Sequence, residues 1–121
     1  MVEIVLFFEL HQPRRFRRQF GRTLPLESEK LEDIYFDDEL NREVFERVTR
    51  KSYIPGLKNL IQGAKEGRFK CALGLSGIFL EQCTWWSPEV LELIRELVGT
   101  GACELTAQTY FHSLASMINA E

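Results

Sequence analysis

Two short stretches carry polar side chains where an apolar extended segment would otherwise continue. Phe8-Glu9-Leu10-His11-Gln12-Pro13 sets an acid and an imidazole two residues apart, and Glu104, Thr106 and Gln108 repeat the same spacing late in the chain. In a strand, residues two apart share a face, so Glu9 lies with His11, and Glu104 with Thr106 and Gln108, while Cys103, Leu105 and Ala107 turn the other way. A lone histidine is usually structural, but one that ends an apolar strand before Gln-Pro is placed for a site, and Gln12 adds an amide suited to a sugar hydroxyl. Trp85 and Trp86 could stack on sugar faces through C–H groups meeting the negative π surface, or one could be buried and the other lie at a rim. His112 follows the second stretch. The position four residues on is Ser116, so no His-x-x-x-His pair forms, and two histidines alone seldom hold zinc.

Other chemistries lack their motifs. No Gly-x-Gly-x-x-Gly, Walker A, Gly-x-Ser-x-Gly or Cys-x-x-Cys pattern occurs, and Gly74-Leu75-Ser76-Gly77 lacks the third glycine of a dinucleotide loop. Cys71, Cys83 and Cys103 are odd in number and fit no zinc spacing, which reads as reduced packing thiols in a cytoplasmic protein. No cofactor is expected.

The elements that must position these residues alternate. Residues 2–10 form a β-branched and aromatic run, apolar on both faces, expected to be a strand covered on both sides and closed by Pro13. Residues 14–36 show no periodicity. Asp37 or Asp38 caps a helix with Leu40, Val44, Phe45 and Val48 inward, and Pro55 opens another with Leu57, Leu60, Ile61 and Ala64 inward, ended by Gly67. Residues 69–76 form a second strand with Ala72, Gly74 and Ser76 on a small or polar face. A short helix over 78–84 precedes one capped by Ser87, opened by Pro88, carrying Val90, Leu91, Ile94, Leu97 and Val98, and terminated by Gly99 and Gly101. Residues 102–110 give a third strand, with a further helix near Ser113. Strands alternating with helices predict an α/β fold of parallel βα units in one domain, 1–121. Reactive residues of such folds gather at the carboxyl ends of strands, so a polar pocket is expected there. The alternative for each polar residue is a satisfied hydrogen bond within the core.

Composition sets the limits. The 121 residues are 45% hydrophobic and 27% charged with net charge −3, which excludes disorder and a global positive field for nucleic acid or anionic membrane. Arg14, Arg15, Arg17, Arg18 and Arg22 form a local basic cluster that either contacts phosphate or answers the acidic stretch from Glu27 to Glu39. The first residues resemble neither a signal peptide nor a membrane span. A closed (β/α) barrel needs roughly 200 residues or more, so the chain is too short for one.

Phe8-Glu9-Leu10-His11-Gln12-Pro13 resembles the first signature of glycoside hydrolase family 57, and Gly101-Ala102-Cys103-Glu104-Leu105 with Tyr110-Phe111-His112-Ser113-Leu114-Ala115 resembles the second. Tyr35 to Phe45 and Leu75 to Gln82 are similar to segments of archaeal α-amylase-like and 4-α-glucanotransferase-like members. The resemblance implies an incomplete portion, about three strands, of a seven-stranded (β/α) barrel that hydrolyses or transfers α-glucans. It implies that His11 and Glu104 face the sugar beside the scissile bond, with Gln12 and His112 nearby. Relatives usually carry an acid where this chain has Gln108, an amide that can hydrogen-bond a sugar but supplies no charge. The catalytic carboxylates come from later signatures, so no catalytic residue is assigned within the chain and it is expected to be inactive alone. Open sheet edges would then invite self-association or a companion chain. Two other functions are weighed: a carbohydrate-binding or assembly module, and a metal-dependent deacetylase using Asp37, Asp38, His11 and His112.

Overall fold

The computed structural model describes residues 4–18 and 31–113. The helix expected near Ser113, Arg22 and much of the acidic stretch lie outside the described residues. Three parallel strands, β1 (Leu6–Leu10), β2 (Cys71–Leu75) and β3 (Cys103–Thr106), form a sheet of order β1-β2-β3. The first crossover carries α1 (Leu31–Tyr35), α2 (Asp38–Val48) and α3 (Ile54–Lys65), and the second carries α4 (Gly77–Trp86) and α5 (Pro88–Gly99). Parallel neighbours joined by helical crossovers are the unit from which (β/α) barrels are built, and the sheet is an open portion of such an architecture.

The register pairs Leu6, Phe8 and Leu10 with Cys71, Leu73 and Leu75, and Cys71 with Cys103. That row faces the helices, where Cys71, Leu73 and Cys103 are buried against Leu57, Ile61, Val90, Ile94 and Leu97. The core extends into an aromatic cluster in which Phe45 lies 6.0 Å from both Tyr53 and Phe79 and 5.7 Å from Trp86, centroid to centroid. The opposite row holds Phe7, Glu9, Ala72, Gly74, Glu104 and Thr106, and no helix among the described residues covers it. β1 is therefore not covered on both sides as its apolar pattern predicts. Phe7 is 54% exposed and Ile4 and Val5 more so, because the described chain supplies a layer to one face only and β1 lies at an edge.

Asp37 caps α2 as expected, its carboxylate accepting from the Leu40 N–H at 3.1 Å. The break expected before Pro55 is instead a π-helical turn at Thr49–Tyr53 that joins α2 to α3. Proline at 55 has no N–H to donate and its ring crowds the carbonyl four residues back, and the helix relieves this with a wider turn closed by Ile54 N–H to the Thr49 carbonyl. Of the stretch 14–36, the described residues 14–18 and 31–36 hold structure that the lack of periodicity does not suggest. Phe16 bridges Phe36 in antiparallel fashion, their rings stack at 5.1 Å, and α1 precedes the bridge.

Two further boundaries shift. Ser87 stands before α5 without a side-chain cap, whereas Ser76 caps α4 by accepting from Phe79 N–H at 3.4 Å, so β2 stops at Leu75. The buried stripe of α5 is Val90, Leu93, Ile94 and Leu97, with Leu91 and Val98 at its margins. β3 ends at Thr106, short of the expected residue 110, and the chain then turns over the start of α4, where the Tyr110 carbonyl accepts from Ile78 N–H at 3.2 Å.

Candidate functional site

The carboxyl ends of the strands converge on four side chains. His11 follows β1, Ser76 follows β2, His112 lies six residues beyond β3, and Glu9 projects from β1 on the uncovered face. His11 Nδ1 is 2.8 Å from Ser76 Oγ, the two imidazole rings meet edge to face at 3.9 Å, and His112 Nε2 is 2.9 Å from Glu9 Oε1.

Ser76 fixes the chemistry of His11. Its oxygen already accepts the Phe79 N–H and its hydroxyl is fully buried, so the hydroxyl proton is best placed on Nδ1 of His11. The neutral ring then carries its proton on Nε2. Burial is the main cause that pulls the His11 pKa below its usual value, with the neighbouring His112 adding to it and the Glu9 carboxylate opposing. His112 donates Nε2–H to Glu9. The cluster thus offers imidazole N–H donors and a carboxylate acceptor at the mouth of the sheet, a set that suits a polyhydroxylated ligand.

Backbone contacts hold His11 in place. The Ser76 N–H donates to the Leu10 carbonyl at 3.3 Å, the Tyr53 hydroxyl donates to the His11 carbonyl at 3.4 Å, and Gln82 Nε2 donates to the Gln12 carbonyl at 2.6 Å. Burial raises the Tyr53 phenol to about 12, so it stays a donor.

The remaining sequence-predicted residues divide. Gln12 shares the loop but is only 7% exposed and turns inward. Oriented to satisfy both ends, its amide N–H meets the Tyr53 hydroxyl at 3.1 Å and its oxygen accepts from Arg15 at 3.1 and 3.2 Å. Glu104 shares the open face but pairs in register with Ala72, level with Phe7. Four residues along and two strands across separate it from His11 by roughly 16 Å between Cα atoms, so the two share a surface without forming one cluster. Trp85 lies in the last turn of α4, nine residues and roughly 13 Å of helix from Ser76. It is 45% exposed beside Arg14, and Trp86 packs inward on Phe45, the division into rim and buried partner that the sequence allowed.

The deacetylase ligand set does not assemble. Asp37 is spent on its cap, and Asp38 accepts from Arg14 at 2.9 and 2.6 Å, which holds its carboxyl below the usual range. Among the described residues no group of three or more His, Cys, Asp or Glu is arranged to hold a metal ion. Arg14 also pairs with Glu32 and lies 4.1 Å above the Phe36 ring, so part of the basic cluster answers the acidic stretch. Glu9 and Ser76 were the residues sequence reasoning left out of the site. The two-residue spacing to His11 was a signal for Glu9, and the polar face of β2 for Ser76.

Comparison with known proteins bears on the family of the chain. A protein of Methanocaldococcus jannaschii named "Putative alpha-amylase" is 37% identical over 118 residues, covering 98% of this chain and 24% of its own length. The chain therefore spans about a quarter of that relative. No solved structure matches significantly. No helix among the described residues is long and apolar enough to cross a membrane. The family description "Glycosyl hydrolase family 57" matches residues 5–121, and with parallel βα units and polar groups at their carboxyl ends the chain belongs to glycosyl hydrolase family 57.

Proposed function

We propose that the chain is the α-glucan-facing amino-terminal portion of a glycosidase or transglycosylase, supplying hydroxyl contacts through His11, His112 and Glu9 and no bond-breaking pair of its own. The observation that carries this is the Glu9–His112–His11–Ser76 cluster at the strand ends, in a chain of this family whose relative is named for amylase activity. A retaining mechanism needs two carboxylates about 5–5.5 Å apart. The acids of the open face, Glu9 and Glu104, are roughly 12 Å apart between Cα atoms by strand spacing and register, and Glu9 is engaged by His112. Glu104 lines the same face farther from the mouth, as a contact for a more deeply seated group.

Two measurements test this reading. Calorimetric titration with maltooligosaccharides should show weak binding that His11→Ala abolishes, and incubation should release no shorter products. Absence of binding by the unaltered chain, or turnover that follows the 121-residue species through purification, would overturn it.

An assembly role has its own support. Among the described residues β1 and β3 each leave one edge of the sheet unpaired, and Ile4, Val5, Phe7 and Leu105 expose apolar surface next to them. Further parallel strands, in the same polypeptide or a companion chain, would cover both edges and complete the sugar site.

A further inference from the structure

Carbohydrate sites commonly pair hydrogen-bonding groups with an aromatic wall, and Trp85 stands at the far end of α4 from the cluster. Another ring stands at the near end. Tyr110 lies against Gly77, the residue after Ser76, so closely that a Cβ on Gly77 would come within 2.1 Å of Tyr110 Cδ2. Its hydroxyl lies beside the Glu81 carboxylate, its carbonyl accepts from Ile78 N–H at 3.2 Å, and Phe111 braces it edge to face at 4.9 Å. The ring is fixed by these contacts yet 47% exposed, two residues before His112.

An aromatic ring left open to water while four contacts fix its orientation has its ordering entropy already spent, the condition under which stacking contributes most to affinity. Gly77 has a steric reason to lack a side chain, since any Cβ would displace the ring. We propose that Tyr110 forms the aromatic wall of a sugar subsite, stacking on a glucosyl unit whose hydroxyls reach the His11–His112–Glu9 cluster. This rests on the glucan reading above and adds the residue that would set the orientation of the sugar ring.

Maltohexaose titrated into the 121-residue chain, followed by calorimetry and by proton NMR of the sugar, separates the two. Tyr110→Ala should weaken binding about tenfold, the size of one aromatic contact, and abolish the upfield ring-current shift of the bound sugar protons. Tyr110→Phe should retain both, because the ring and not its hydroxyl does the stacking. Gly77→Ala, which moves the ring without deleting it, should match Tyr110→Ala and add nothing in the double variant. If the unaltered chain binds and His11→Ala does not, but Tyr110→Ala binds as well as the unaltered chain, the subsite is overturned while the glucan reading stands. No binding by the unaltered chain overturns both.

Discussion

His11 is held as a neutral ring with a defined proton, and the cause is local. The buried Ser76 hydroxyl claims Nδ1, burial and His112 resist a second proton, and Nε2–H is left for a ligand. The ring should titrate below its ordinary value of 6.5, and nitrogen NMR should show the Nε2–H tautomer in unaltered protein with the preference lost in Ser76→Ala. A midpoint above 6.5, or an Nδ1–H tautomer, would sink this assignment. The sign of the stability effect follows. A folded-state pKa below the unfolded value means that the unfolded chain binds the proton more readily, so stability from this group is complete above about pH 6.5 and is lost as pH falls toward the folded value. Asp38, lowered chiefly by its hydrogen bonds from Arg14, acts in a lower window: its contribution is present above the unfolded carboxylate range and disappears as pH falls through the folded pKa. Arg14→Met should cost about 1–2 kcal/mol in urea unfolding, less than a fully buried pair because the Asp38 side chain is 39% exposed. No measurable loss would show that the pair is solvated.

At the level of elements, the two serines before helices differ in a way that only tertiary structure reveals. Ser76 and Ser87 each precede a helix, yet only Ser76 turns its oxygen back to the helix, while Ser87 stands between two helices with its backbone N–H bonded to Cys83. Ser76→Ala should cost about 1 kcal/mol from lost capping, and Ser87→Ala less than about 0.5 kcal/mol, by denaturant titration. Equal losses would contradict the capping geometry. The same distinction explains what was legible in the sequence. The apolar repeat of Leu57, Ile61 and Ala64, the Asp37 cap and the alternation of Cys71 and Leu73 are local patterns, and they produced α3, α2 and β2 nearly as read. The family resemblance rested on consecutive residues and was equally readable. The π-helical turn before Pro55 and the bridge from Phe16 to Phe36 depend on which neighbour is present to accept a hydrogen bond, which a local pattern does not contain. For the site, the face shared by Glu9 and His11 followed from strand period. The inward turn of Gln12 did not, because its partners Tyr53 and Gln82 lie 41 and 70 residues away.

At the scale of the whole molecule, the governing fact is that among the described residues the sheet has one layer of helices and two free edges. β1 carries the sequence of a strand buried on both faces, and its surroundings bury only part of one. Beside its free edge, Phe8 and Leu10 with Tyr53, Gly56, Leu57 and Leu60 enclose an apolar groove of about 300 Å³. The ring of helices in a (β/α) barrel would seat a helix in this position, after a strand paired to β1. A surface so apolar, with unpaired backbone donors and acceptors along its edge, is a template for strand addition. Sedimentation of the 121-residue chain should therefore show association that strengthens with concentration. Val5→Lys and Leu105→Lys, which place charge beside the two edges without touching the core, should each shift the equilibrium toward monomer, and their combination should shift it further because the edges are separate. Urea unfolding of the variants should keep the monomer's slope, since the helices and their contacts with β2 are unchanged. A unaltered chain that sediments as one monomeric species at high concentration would mean that its edges are protected, and the case for completion by further strands would fall.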